Sequence, residues 1–179
     1  VIVYFQGTQL DKSGVGSNVQ FPGTQLVAGI FASQGYIVVI PDYVGMGRNY
    51  ARIHPYILYP TSSAQAARDM LTDPIVKTSI KEAFGNPDTL TIKLFSVGYS
   101  EGGAYSLWFN KYMRDNPINT PSNYTYDLIH SIGLEGAYNT SSVTYNYLFS
   151  DVTASGANTY NIQNQALTNL SKPVLAADC

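Results

Sequence analysis

The sequence predicts an α/β fold, a mostly parallel sheet flanked by helices, and three observations carry that expectation. Short runs of continuously apolar, β-branched or aromatic residues recur along the chain, as strands buried on both faces do. Segments with apolar residues at helical spacing separate them. The connections are too long for hairpins, so successive strands must be joined by right-handed crossovers.

The first run is Val1 to Phe5, a strand that starts inside a sheet. From Thr24, Leu26, Val27, Ile30 and Phe31 recur at helical spacing, and Gly35 stands where a C-cap glycine belongs, so this segment is expected to be an amphipathic helix packed on the sheet. Tyr36 to Ile40 is a second strand, stopped by Pro41 and followed by the turn Asp42-Tyr-Val-Gly45-Met-Gly47. Thr61, Ser62 or Ser63 can cap the next helix, with Ala64, Ala67, Met70 and Leu71 on one face. A second short helix covers Ile75 to Phe84, Gly85-Asn-Pro-Asp88 is turn chemistry, and Leu90 to Val97 is the third strand. Glu101 to Arg114 reads as a helix facing inward with Ala104, Leu107, Trp108 and Tyr112, and Asp127 to Leu134 offers a fourth strand. Past Glu135 the pattern dissolves into Asn, Thr and Ser. The chain therefore divides into a core over 1–138 and a cap or lid over 139–179.

Composition narrows the chemistry. Of 179 residues 45% are hydrophobic, enough for a sizeable core, and only 12% are charged, with a formal net charge of −2. No basic run exists, so nucleic acid is not an expected partner. The single cysteine, Cys179, excludes an internal disulfide, and with two histidines no Cys/His zinc cluster can be assembled. The longest apolar stretch, Tyr36 to Ile40, falls far short of the roughly 20 residues of a membrane span. Fifteen tyrosines with many Asn, Thr and Ser give a polar, uncharged surface suited to a secreted or exported protein. Sequons occur at Asn123, Asn139 and Asn169, but a chain of this composition produces such triplets by accident.

Gly98-Tyr-Ser100-Glu-Gly102 matches G-x-S-x-G. Five residues are a weak signal alone. The motif lies, however, directly between the third strand and the helix from Glu101, the strand-turn-helix context this pattern requires. A serine at the tip of so sharp a turn holds a strained backbone, and glycines two residues to either side let strand and helix approach. Its hydroxyl then projects at the carboxyl end of the sheet, where open α/β sheets place ligands. Ser100 is thus the candidate nucleophile, and the Glu101 amide faces developing negative charge on a substrate oxygen. Gln6-Gly-Thr8 follows the first strand and can supply a second oxyanion donor through the Thr8 amide, with Gln9 nearby.

Tyr4-Phe-Gln-Gly-Thr8, then Pro41-Asp-Tyr-Val-Gly45-Met-Gly47 with His54-Pro-Tyr56, then Gly98-Tyr-Ser-Glu-Gly-Gly103, resemble the α/β-hydrolase superfamily in that order. The likeness is closest to secretory lipase- and esterase-type serine hydrolases and covers about residues 1 to 138. Gln6 departs from the pattern, standing where many members have the His of an HG pair. The resemblance implies hydrolysis of carboxylic esters, with an ester or lipid as substrate, through an acyl-enzyme on Ser100 and with no cofactor. It also implies a triad in the order Ser, then Asp or Glu, then His.

After Ser100 the sequence has only His130, mid-strand and expected to point into the sheet packing. His54 precedes the serine and is expected to brace the loop after Gly47, and Asp42 to organise its own loop by turn hydrogen bonds. Downstream acids are Glu135, at a strand end, Asp151 and Asp178. A complete fold of this kind needs well over ~200 residues. We therefore expect an incomplete α/β-hydrolase fold here and a second polypeptide, carrying the C-terminal part, that supplies the triad Asp and His. Two alternatives stay open: acyl transfer on the same scaffold, and a non-catalytic module that binds a partner or lipid.

Overall fold

The computed structural model describes residues 1–48, 52–56, 59–118, 123–136 and 138. The described elements are β1 (Ile2–Phe5), α1 (Pro22–Ala32), β2 (Val38–Val39), α2 (Pro60–Thr72), α3 (Pro74–Ala83), β3 (Leu90–Tyr99), α4 (Glu101–Asp115) and β4 (Tyr124–Leu134). They belong to a compact unit, Val1–Gly136. The expected lid over 139–179, with Asp151, Asp178 and Cys179, lies outside the described residues.

The strands form one parallel sheet in the order β2-β1-β3-β4. β1 therefore lies at the centre, and its chain leaves toward β2 while that of β3 leaves toward β4. Between strands whose connections depart in opposite directions, the carboxyl ends of an α/β sheet open into a crevice. Here those ends are Phe5-Gln6-Gly7 and Tyr99-Ser100, aligned by the pairing of Phe5 with Gly98.

Side-chain alternation explains which face is covered. Ile92, Leu94 and Ser96 of β3 point toward α2 and α4, where they meet Ala64, Ala67, Leu71, Tyr105, Phe109 and Met113 in one buried cluster with Val3 and Phe5. Phe5 and Phe109 rings lie 5.5 Å apart. Ser96 is polar yet fully buried, and its hydroxyl is satisfied by Ser106 (3.0 Å) and Ser131 (2.6 Å), the latter also taking a bond from Asn110. This tie clamps α4 across both strands.

Several local expectations are corrected. The second strand shortens to Val38–Val39, and both β3 and β4 run longer than the apolar runs indicated, because parallel pairing extends the ladder through Tyr99 and back to Tyr124. α2 has no hydroxyl cap: Pro60 occupies its first turn, where the preset φ and missing N–H cost nothing, and the Ser62 hydroxyl instead donates to the Tyr59 carbonyl at 2.9 Å. α3 has the side-chain cap, Asp73, which accepts from the amides of Ile75 and Val76. In α4 the inward face is Ala104, Tyr105, Phe109 and Met113, whereas Leu107 and Trp108 are exposed. On α1, Thr24 is the buried residue, bonded to the Val15 carbonyl, and Leu26 and Ile30 are 64% and 54% exposed. Among the described residues no helix is long and apolar enough to cross a membrane.

Candidate active site

Ser100 stands between the last residue of β3 and the first of α4 with φ 57° and ψ −121°, backbone angles that a residue with a side chain rarely adopts. Neighbours hold it there. Its amide donates to the Leu134 carbonyl of β4 at 2.8 Å, and its carbonyl accepts from Gly103 at 2.9 Å. The flanking glycines are required by close approach: a Cβ on Gly98 would strike the Gly102 carbonyl, one on Gly102 the carbonyls of Phe5 and Gln6, and one on Gly103 the Leu134 carbonyl. The strand and helix thus cross at backbone contact, and the Ser100 side chain is left half-buried at the sheet's carboxyl end.

The loop after β1 reaches the same point. A Cβ on Gly7 would lie 3.3 Å from the Tyr99 carbonyl oxygen and 3.6 Å from the Ser100 Cβ. Thr8, the next residue, is exposed. The amides of Glu101 and Gly102 open α4, and the first N–H groups of a helix have no acceptor within it. The structure therefore brings Gly7, Ser100 and the first turn of α4 together at the carboxyl end of the sheet, with Thr8 the next residue along the chain.

Beneath the turn lies a buried polar and aromatic cluster whose partners are far apart in sequence. Glu101 is 3% exposed and His54 2%. His54 Nε2 meets Glu101 Oε1 at 2.8 Å, and His54 Nδ1 faces the Val44 carbonyl at 3.0 Å. A carbonyl only accepts, so Nδ1 carries a proton, and one further proton is held between Nε2 and the carboxyl. Tyr105 donates to the same Oε1 at 2.6 Å. Tyr43 stacks on His54 (ring centroids 5.4 Å, 12° between planes), meets Tyr105 edge-on at 4.8 Å, and donates its hydroxyl to the Gln6 carbonyl at 2.6 Å. Burial raises the pKa of both tyrosines well above the ordinary range, and the nearby Glu101 carboxylate raises it further.

His54 thus braces the turn around Gly45, whose added Cβ would strike the His54 amide, and also grips α4. Asp42 bonds outside its own loop: its carboxylate accepts from the Ser17 amide (2.9 Å) and hydroxyl (2.6 Å), tying the loop after β2 to the loop after β1. His130 does not point into the packing. Ser131 faces α4, so His130 lies on the opposite face of β4, exposed, with its ring 6.5 Å from that of Phe95. Glu135 is exposed just past β4 with φ 50°. Sequence reasoning missed the Glu101 side chain. An acid on the first turn of a helix hemmed in by glycines had to be buried, but nothing in the sequence marks a partner 47 positions away. Among the described residues no group of three His, Cys, Asp or Glu side chains is placed to hold a metal ion. A cavity of about 490 Å³ lies beside β2, walled by Ala28, Val38, Ile40, Asp42 and Met70, and involves none of Ser100, Thr8 or Glu101.

No family model matches the chain, and no curated protein matches it. Solved structures do. One is a Legionella pneumophila protein described as a "putative hydrolase", with 27% identity over 68% of this chain and 31% of that one, at a TM-score of 0.53. Another is a ligand-bound form of the rice cell wall degrading esterase LipA from Xanthomonas oryzae, with 27% identity over 64% of this chain and 29% of that one, at a TM-score of 0.50. The fold is α/β-hydrolase-like, and the chain spans less than a third of the length of either neighbour.

Proposed function

We propose that this chain carries the nucleophile-bearing part of an exported serine hydrolase that cleaves carboxylic esters. The observation that supports it most is Ser100, held at φ 57° on a strand-to-helix turn that abuts the loop after β1. An ordinary tight βα turn has no need of a serine in backbone strain worth about 1–3 kcal/mol, whereas a hydroxyl that must project into a crevice does.

In this reading Ser100 Oγ attacks the ester carbonyl carbon while an imidazole takes its proton. The carbonyl oxygen becomes an oxyanion, received by the Glu101 and Thr8 amides. Collapse breaks the carbon–oxygen bond, the imidazolium protonates the leaving alcohol, and the acyl group remains on Ser100. Water, deprotonated by the same imidazole, releases the acid. Neither described histidine suits the base: His54 has both nitrogens engaged, and His130 lies on the far face of β4. The imidazole and its carboxylate partner are contributed from outside the described residues, by a C-terminal segment or a second polypeptide.

The test is hydrolysis of p-nitrophenyl esters by the full-length protein. Turnover that Ser100→Ala reduces by about 10³-fold or more is expected. Turnover unaffected by that change, or none by the wild type, overturns the reading. An added alcohol acceptor separates hydrolysis from acyl transfer, since ester product in place of acid would move the assignment to the latter.

A further inference from the structure

We infer that His54 and Tyr43 are positioning residues that hold the two halves of the oxyanion hole at a fixed separation. This rests on the hydrolase reading above and deepens it.

The two proposed donors come from different parts of the chain, Thr8 on the loop after β1 and Glu101 at the start of α4. The β1/β3 ladder and the backbone crossing at Gly102 bring β1 and α4 together as far as Gln6. The buried cluster adds a second tie, made by side chains, between the residue that carries one donor and the segment that carries the other. Glu101 is anchored through its own side chain, which accepts from Tyr105 and is paired with His54. His54 is in turn fixed by the Val44 carbonyl. Tyr43 lies flat on the His54 ring and bonds the carbonyl of Gln6, which is itself buried and stands two residues before Thr8. The path from one donor to the other is thus Glu101, His54, Tyr43, Gln6, made of two side-chain contacts and a final hydrogen bond from the Tyr43 hydroxyl to the Gln6 backbone carbonyl, all among buried residues.

Such a chain is stiff. A carboxyl and an imidazole buried together cannot part without leaving further polar groups uncompensated, so the pair resists separation. Stacking leaves Tyr43 with one direction for its hydroxyl. Oxyanion donors act only within a few tenths of an ångström of their place, and a displacement of ~1 Å costs about 10²-fold in rate. His54 and Tyr43 touch no reacting atom; they act through Glu101 and Gln6.

A merely structural cluster would change how much protein folds, whereas a positioning one changes the rate of each folded site. The experiment therefore normalises turnover of p-nitrophenyl butyrate in the full-length protein to active sites counted by fluorophosphonate titration. Tyr43→Phe keeps the stack and removes only the bond to Gln6. It is expected to lower kcat per site by about tenfold with KM within about twofold, and to weaken binding of a trifluoromethyl ketone by the same factor as kcat/KM. His54→Ala is expected to lose about 10²-fold. Glu101→Ala behaves likewise, and Glu101→Gln restores most of that loss, because a carboxamide can donate to the unprotonated Nε2 and to the Tyr105 oxygen.

Unchanged kcat per site in Tyr43→Phe, or a loss confined to KM or to the number of sites, overturns the inference. If His54→Ala does not fold, Tyr43→Phe decides. Should Ser100→Ala retain activity, the hydrolase reading itself falls; should Ser100→Ala be inactive while Tyr43→Phe is normal per site, this inference alone falls.

Discussion

Gly102→Ala is the most revealing single methyl group that can be added to this chain. Gly102 lies in the first turn of α4, where Ala is intrinsically better than Gly by about 1 kcal/mol. The structure opposes that preference. The new Cβ would sit 2.5 Å from the Gln6 carbonyl oxygen and from the Phe5 carbonyl carbon, and nearer still to the Phe5 carbonyl oxygen. All of these are backbone atoms of β1 or its end, which no rotamer change moves away. Contacts below 3.0 Å are not tolerated, so α4 and β1 must part by about 1 Å, in a region where Phe5, Tyr105 and Phe109 are fully buried. Overpacking against unyielding neighbours costs about 3 kcal/mol, and subtracting the helix preference leaves a net loss of about 2 kcal/mol.

Gly29→Ala is the internal control. It lies inside α1 with nothing within 4 Å of its would-be Cβ, so the same chemical change is expected to stabilise by about 0.5–1 kcal/mol. Equilibrium denaturant unfolding of the two variants measures both effects, and esterase turnover reports whether the displaced Gln6-Thr8 segment has carried a donor with it. If Gly102→Ala stabilises as Gly29→Ala does, the close crossing of β1 and α4 is wrong, and so is the geometry of the turn above it.

Two further outcomes follow from the same geometry. Ser100→Gly removes the hydroxyl but relaxes φ 57°, so it is expected to abolish turnover while raising unfolding free energy by about 1 kcal/mol, the backbone strain less the entropy of glycine; a less stable variant would refute the strain. Tyr43 and Tyr105 keep their protons in the folded state beyond the range near pH 10 where an unfolded chain ionises, so their contribution is complete below that pH and declines as pH rises through it. Tyr105→Phe is accordingly expected to cost about 1.5–3 kcal/mol at neutral pH through the lost bond to Glu101, yet to flatten the decline in denaturation midpoint between pH 9 and about 11; an unaltered alkaline slope would contradict the raised pKa.

Much of this architecture was readable from the residues alone. β1 announced itself because a strand buried along nearly its whole length demands an unbroken apolar run, and Ser100 because its motif fell between a strand and a helix, whereas β3 and β4 alternate between more and less buried positions rather than being buried on both faces. The failures have physical reasons. Leu107 and Trp108 share helical spacing with Ala104, but period alone does not say which face turns inward, and the sheet selected Tyr105 and Phe109. Leu26 and Ile30 were expected against the sheet, whereas the bond of Thr24 to Val15 fixes the rotation of α1 otherwise. The alliance of Glu101, His54 and Tyr43 was illegible because it is made by folding: three segments distant in sequence converge under one turn. What a sequence does register is the anomaly of an acid among glycines, and the structure supplies its partner.

Whether Ser100 is a nucleophile is decided by covalent labelling of the full-length protein with a fluorophosphonate, followed by peptide mass spectrometry. One phosphonylated residue, Ser100, is expected, with the adduct lost in Ser100→Ala. An unlabelled Ser100, or a label that survives its replacement, would contradict that role.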